Sequence, residues 1–192
     1  LDRAALLGCA VITGAGAIFN DSRVRPGESV AVIGAGGIGL AAINAAKIAG
    51  AGQILAIDPM PEKRELAMRL GATETLDPTS ETIVKDVLKR THGGVHYAIE
   101  AVGRPNTAEL AWNILRRGGT ATILGMIAPG NNVSLPGPTF LTGRKIQGSL
   151  LGSTRFPIDM PRLVQMYLDG LLDLDTMVAE RIRLDDVNDA LE

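Results

Sequence analysis

Cysteine is nearly missing from this chain: Cys9 is the one cysteine in 192 residues. A single thiol closes no internal disulfide, so the fold has no covalent staple, and the composition suits a reducing, cytoplasmic setting. Aromatic rings are scarce too, three Phe, two Tyr and one Trp. Neither sign of charge dominates, since 19 Lys and Arg stand against 21 Asp and Glu for a net charge of −2. Without a basic excess to neutralise phosphates, nucleic acid is not expected as the main partner. No uninterrupted apolar run approaches ~18 residues, which by that count excludes a membrane-spanning helix. The apolar stretch from Ala4 to Phe19 lacks a basic leader and is studded with glycine, so it does not read as a secretion signal.

Apolar residues make up 46% of the chain, enough to exclude wholesale disorder. Glycine is in excess, 23 of 192 residues, where ordinary usage of about 7% would give roughly 13. Much glycine with few rings points to tight turns and close helix–sheet packing. The first residue is Leu1 and the last eight, Asp185 to Glu192, read as a helix; both features suggest a segment of a longer polypeptide.

Short apolar runs alternate with amphipathic ones. Glu28 to Gly34 (ESVAVIG) has the pattern of a strand buried on both faces. Ile38 to Ala49 reads as a helix close to a sheet, Gln53 to Asp58 as a second strand, and Glu62 to Leu70 as a helix ended by Gly71. A short strand at Glu74 to Leu76 follows, then a helix from Ser80 to about Arg90 with Ser80 as cap. His96 to Ala101 is the fourth strand, and Asn106 or Thr107 caps a helix through Leu115. Thr120 to Gly125 and Lys145 to Leu151 are the last two strands. Ala128 to Leu141 is a loop with one extended segment, and Pro161 to Leu172 is a helix. Strands alternating with helices imply right-handed crossovers and a parallel sheet. The fold class is therefore α/β, a doubly wound parallel six-stranded sheet of the NAD(P)-binding Rossmann type.

The sharpest motif is Gly34-Ala-Gly36-Gly37-Ile38-Gly39, placed between a buried strand and an alanine-rich helix. Gly34 permits a sharp turn, Gly36 lets a pyrophosphate approach the backbone, and Gly39 lets the helix lie close to the strand. The helix start then offers free amides and a positive dipole end to the phosphates. Asp58 follows at the end of the second strand, where a carboxylate accepts the hydroxyls of the adenosine ribose and repels a 2′-phosphate, which favours NAD over NADP. Lys63 is the nearest cation and is within reach of a ribose hydroxyl. Glu62, Arg64 and Glu65 read as the rest of an exposed charged turn.

Three stretches resemble the zinc-dependent medium-chain alcohol dehydrogenases: Leu6 to Gly14 (LLGCAVITG), the Gly34 motif through Asp58, and Ile99 to Arg104 (IEAVGR). The likeness covers essentially the whole chain. It implies that Cys9 is one of three protein ligands of a catalytic zinc, that Thr13 lies beside the nicotinamide and that Ile38 presses on its back face. It further implies that Val102, Leu124 and Met126 line the cofactor, with Gly103 and Arg104 closing the fourth strand where ligands sit in such sheets. By the same resemblance residues 1–22 are a helical link from a catalytic domain, 23–172 the NAD-binding domain, and 173–192 the start of the return. The expected chemistry is hydride transfer between an alcohol/aldehyde pair and NAD, with zinc as Lewis acid. The alternatives are a thiol-linked formaldehyde dehydrogenase and a zinc-free quinone reductase using NADPH; Cys9 and Asp58 both argue against the second. The other zinc ligands are not in this sequence, so one thiolate is not expected to hold the metal tightly and the chain alone is expected to be inactive. A homodimer or homotetramer is expected, with Val133-Ser134-Leu135 as an extended edge.

His92 and His96 are four apart, but Gly93 and Gly94 break helicity between them, so a loop and a strand start are expected instead of a metal pair. Trp112 and the methionines read as packing residues, and Arg116-Arg117 as a solvated helix end.

Overall fold

The computed structural model describes residues 2–188. Six parallel strands form the middle layer: β1 (Ser29–Ile33), β2 (Gln53–Ile57), β3 (Glu74–Leu76), β4 (Val95–Glu100), β5 (Leu115–Ile123) and β6 (Lys145–Gly148). Their order in space is β3-β2-β1-β4-β5-β6, so the winding reverses between β1 and β4, the place where such sheets open a crevice. Seven α-helical segments flank it: α1 (Asp2–Leu6), α2 (Ile12–Gly16), α3 (Gly37–Ile48), α4 (Pro61–Leu70), α5 (Ile83–Arg90), α6 (Pro105–Asn113) and α7 (Phe156–Leu168).

Both faces of the sheet are buried, which is why β1 reads SVAVI without alternation. Val30, Val32, Ile54, Ala56 and Ile99 pack on one side with α3, α4 and the N-terminal helical stretch. Ala31, Ile33, Leu55, Ile57 and Ala98 pack on the other with α5 and α6, around Trp112. The Trp112 indole is wholly buried and donates to Thr139 Oγ1 (2.9 Å). Its ring lies 4.6 Å from that of Phe140.

From Asp2 to Ser22 the chain is helical throughout, α1 and α2 alternating with wider π turns at Leu7–Val11 and Ala17–Ser22. This corrects the exclusion of a spanning helix: Arg3–Ser22 is 20 residues long and apolar enough to cross a membrane by length and composition. Interspersed glycine and alanine hid it from a count of uninterrupted runs. Half of that stretch is buried within the fold, and Val11, Ile12 and Ile18 belong to the same core as β1. Core helices of soluble proteins pass the same length test.

Several boundaries differ from the sequence reading, each for a local reason. The helix expected from Ser80 starts at Ile83, because Asp77 Oδ1 takes up the amide and hydroxyl of Thr79 (2.9 and 2.7 Å) and the Ser80 and Thr82 hydroxyls pair at 2.9 Å. Such side-chain bonds compete with helical ones. Asn106 does not cap α6, whose N-cap is Arg104 with Pro105 in the first turn, the position proline's fixed φ suits. Thr107 is not the N-cap but sits in that first turn and closes a capping box, its Oγ1 accepting from Arg104 N (3.3 Å). That helix stops at Asn113 because Leu115 already pairs with Val95. β5 thus starts five residues early, and Arg116 and Arg117 are strand residues instead of a helix end. β6 ends at Gly148 and gives way to a 3-10 turn at Leu151–Ser153. α7 begins at Phe156 and carries Pro161 inside it. Val133 to Leu135 forms no strand; the Ser134 amide donates instead to Glu109 Oε1 (2.9 Å). Of the helix expected from Asp185 only a 3-10 turn, Leu184–Asp186, is found, and residues 189–192 lie outside the described residues.

Candidate cofactor-binding cleft

The carboxyl ends of β1, β2 and β4 surround an open cleft of about 1060 Å³. Six of the residues singled out from the sequence line it together: Gly34, Gly36, Asp58, Lys63, Val102 and Arg104. Gly34 turns the chain at φ +91°, a conformation side chains rarely adopt, and its amide donates to Ile57 O (2.8 Å). A Cβ on Gly39 would overlap the Gly34 carbonyl oxygen, so only glycine lets α3 start this near β1. A Cβ on Gly36 would meet nothing within 4 Å, leaving the backbone there open to the cleft. The first intrahelical bond of α3 runs from Leu40 N to Gly36 O (2.8 Å). The amides before it, including those of Gly37 and Ile38, have no place in the helical ladder and carry the positive end of its dipole.

Asp58 is 4% exposed. Its Oδ2 accepts from Ala35 N (2.8 Å) and its Oδ1 from Met60 N (2.9 Å). An ionised carboxylate has about four acceptor directions, so each oxygen keeps one for a ligand hydroxyl. Holding the β2–α4 turn therefore leaves this side chain with acceptor capacity to spare. Lys63 stands half-buried on the same wall.

Arg64 does not belong to an exposed charged turn, as its neighbours suggested. Its side chain is 21% exposed, and Nη1 donates to the carbonyls of Asp58 (2.6 Å) and Pro59 (2.8 Å) with Asp77 Oδ2 at 3.5 Å. The Thr79 amide and hydroxyl hold the Asp77 carboxyl below its ordinary value. Arg64 lies one residue after Lys63, and a stretch of four consecutive charges, Glu62 to Glu65, gave no sign of which would turn inward.

Glu100 is a second residue the sequence reading used only as a marker. It is fully buried at the end of β4, and Oε1 accepts from Val102 N (2.9 Å), Gly103 N (2.8 Å) and Thr107 Oγ1 (2.7 Å). A carboxylate ending an apolar strand (HYAIEA) was the available signal. Glu100 shapes the loop so that Val102, 43% exposed, faces the cleft mouth. The Gly103 loop in turn packs directly on Gly125 beyond β5.

The remaining candidates lie outside the cleft lining. Thr13 is 5% exposed and its Oγ1 has no hydrogen-bond partner. It sits beside Gly14, where an added Cβ would overlap Ile38 O, so α2 crosses directly over the first turn of α3. Leu124 is half-buried against the core, its amide bonded to Glu100 O (2.8 Å), and Met126 is 90% exposed. Cys9 is free and exposed, and no three His, Cys, Asp or Glu among the described residues group to hold a metal ion. These residues alone do not make a zinc site. His92 and His96 fall in a turn and at the start of β4, as expected.

Residues 37–169 match the model of a family described as zinc-binding dehydrogenase. The S-(hydroxymethyl)glutathione dehydrogenase of Escherichia coli O1:K1 / APEC is 39% identical over 190 residues, 97% of this chain and 52% of that protein. An alcohol dehydrogenase zinc-binding domain protein from Burkholderia ambifaria superposes with a TM-score of 0.96 at 35% identity, over 100% of this chain and 52% of that one. A putative zinc-binding dehydrogenase from Sinorhizobium meliloti 1021, solved bound to NADP, gives 0.87 at 28% identity over 95% and 54%. The chain spans about half the length of the curated relatives it matches. Strand order, glycine turn and family match agree, and the chain belongs to the zinc-binding dehydrogenase family.

Proposed function

We propose that this chain is the NAD-binding domain of an oxidoreductase that moves hydride between an alcohol/aldehyde pair and NAD. The observation that carries the reading is Asp58, a buried acid with spare acceptor directions in a cleft shared with the open backbone of Gly36. The amides at the start of α3 receive the pyrophosphate, Asp58 and Lys63 the adenosine ribose, and Val102, Gly103 and Arg104 the far wall. Leu124 and Met126 follow β5 on the same side of the sheet edge. Thr13, with its orphaned buried hydroxyl, and Ile38 face the nicotinamide end. When bound, NAD supplies the hydride acceptor. The protein's part is to hold the ring in near-attack geometry and keep water away.

Cys9 is the chain's contribution to a zinc site whose remaining ligands are not among the described residues. Residues 1–22 and 173–192 are proposed as links to a catalytic domain and 23–172 as the cofactor domain. Turnover of an alcohol by this chain alone would contradict that division. A small-molecule alcohol or aldehyde is the proposed substrate in a cytoplasmic homodimer or homotetramer. β6 is an open sheet edge for pairing, and light scattering tests the assembly.

Titration calorimetry tests the central reading. The chain should bind NADH more tightly than NADPH, and Asp58→Gly should erase the difference; equal binding by the unaltered chain would refute the role given to Asp58. A second reading, oxidation of an S-hydroxymethyl thiol adduct, is favoured by the 39% identity to an S-(hydroxymethyl)glutathione dehydrogenase.

A further inference from the structure

Every polar group of Asp58 is held. Its amide donates to Leu76 O (3.2 Å), its two carboxylate oxygens accept from Ala35 N and Met60 N, and its carbonyl accepts from Arg64 Nη1 (2.6 Å). Three of these four contacts come from backbone, which no side-chain truncation removes. Arg64 supplies the fourth, and the same nitrogen also holds the Pro59 carbonyl (2.8 Å) and pairs with Asp77. Arg64 therefore ties the β2–α4 turn, which carries Asp58, to the β3–α5 turn, whose Thr79 lines the cleft.

We propose that Arg64 is a positioning residue that sets coenzyme preference through Asp58. It fixes the carbonyls of Asp58 and Pro59 so that the carboxylate is presented to the ribose with its free acceptor directions inward. The proposal rests on the cofactor reading above. A planar guanidinium donating to two adjacent carbonyls does this with little loss of side-chain freedom on binding. Supporting contacts of this kind hold a binding group to within a fraction of an ångström, and loosening them weakens recognition without removing the group itself. Asp58 repels a 2′-phosphate, so loosening it does not weaken the phosphorylated coenzyme, and only the unphosphorylated one should lose affinity.

The test is fluorescence titration of NADH and NADPH against the chain and its Arg64→Leu, Arg64→Lys and Asp58→Gly forms. Arg64→Leu should weaken NADH by about tenfold, the scale of one lost hydrogen bond to a charged group, and not weaken NADPH. Arg64→Lys should fall between Arg64→Leu and the original chain; it keeps the test decisive if Arg64→Leu does not fold. In the Asp58→Gly background, Arg64→Leu should cost nothing further, because its action runs through the missing carboxylate. Equal weakening of both coenzymes would overturn the proposal and reduce Arg64 to a general support. A larger loss for NADPH would overturn it differently, by putting the guanidinium on the 2′-phosphate. An original chain that binds both coenzymes alike would refute the cofactor reading itself, and is seen before any Arg64 variant is made.

Discussion

The two ends of the sheet are built from different materials. At the carboxyl end the chain turns on Gly34 and Gly39, and the Asp58 carboxylate is held by main-chain amides. At the amino end the corresponding positions are side chains: His96 lies with Nδ1 2.8 Å from Ser29 Oγ, and Arg116 Nη1 donates to its Nε2 at 2.6 Å. Glu28, Arg117 and Lys145 complete a charged recess of about 690 Å³ there. Glycine and free amides leave main-chain donors open to a ligand, whereas at the amino end Ser29, His96 and Arg116 spend their polar groups on one another. The difference explains why one end reads as a site and the other as a fastening.

The largest effect should come from filling the close approach at the carboxyl end. Gly39→Val puts a branched side chain against the Gly34 carbonyl, where backbone must move. We expect a loss of at least ~3 kcal/mol of stability in denaturant titration and no measurable NADH binding. Among changes that act on the coenzyme alone, Asp58→Asn should be the largest. It keeps the shape but removes the charge, and the NADH over NADPH preference should fall about tenfold or more by calorimetry. Trp112→Ala, in the core behind the cleft, should cost ~3–5 kcal/mol of stability while leaving the ratio of the two coenzymes unchanged.

The amino end should answer to pH instead. A ring that accepts from Arg116 is neutral, and burial, then the Arg116 charge, lower the His96 pKa from its ordinary 6.5 against an opposing pull from Glu28. Because the folded value is depressed, the unfolded chain takes up the proton first. Stability attributable to His96 is complete above pH 6.5 and declines as the pH drops through the folded value. His96→Gln should flatten that decline in unfolding curves between pH 7 and 5 without altering NADH affinity. Arg90→Ala should give the smallest change. It breaks a half-exposed pair with Glu74 at 2.7 Å, worth less than ~1 kcal/mol. Arg90 and Gln53 hold Glu74 below its ordinary range, so the residual difference should vanish on acidification as that carboxylate protonates.

The same contrast marks what was legible in the sequence. The parallel six-stranded sheet and the glycine turn were readable, because burial on both faces forces continuous apolar runs and a crowded crossing forces glycine at fixed spacing. Arg64 and Glu100 were not. Both act through carbonyls or amides brought near by the fold; Arg64 has nothing in its own neighbours to distinguish it from a solvated charge, and Glu100 has only its place at the end of an apolar strand. Element ends were missed where side chains compete with the helix, as at Asp77 to Thr82, or where strand pairing overrides it, as at Leu115. The length of the apolar helix Arg3–Ser22 was missed because glycine and alanine hide an apolar face from a search for unbroken runs.

A crystal structure of the chain with NADH would test the account most directly. Diphosphate oxygens should lie about 3 Å from the amides of Gly36 to Ile38, with both hydroxyls of the adenosine ribose on the Asp58 carboxylate. A coenzyme lying elsewhere on the surface, or a ribose turned away with Asp58 still bonded only to Ala35 and Met60, would contradict it.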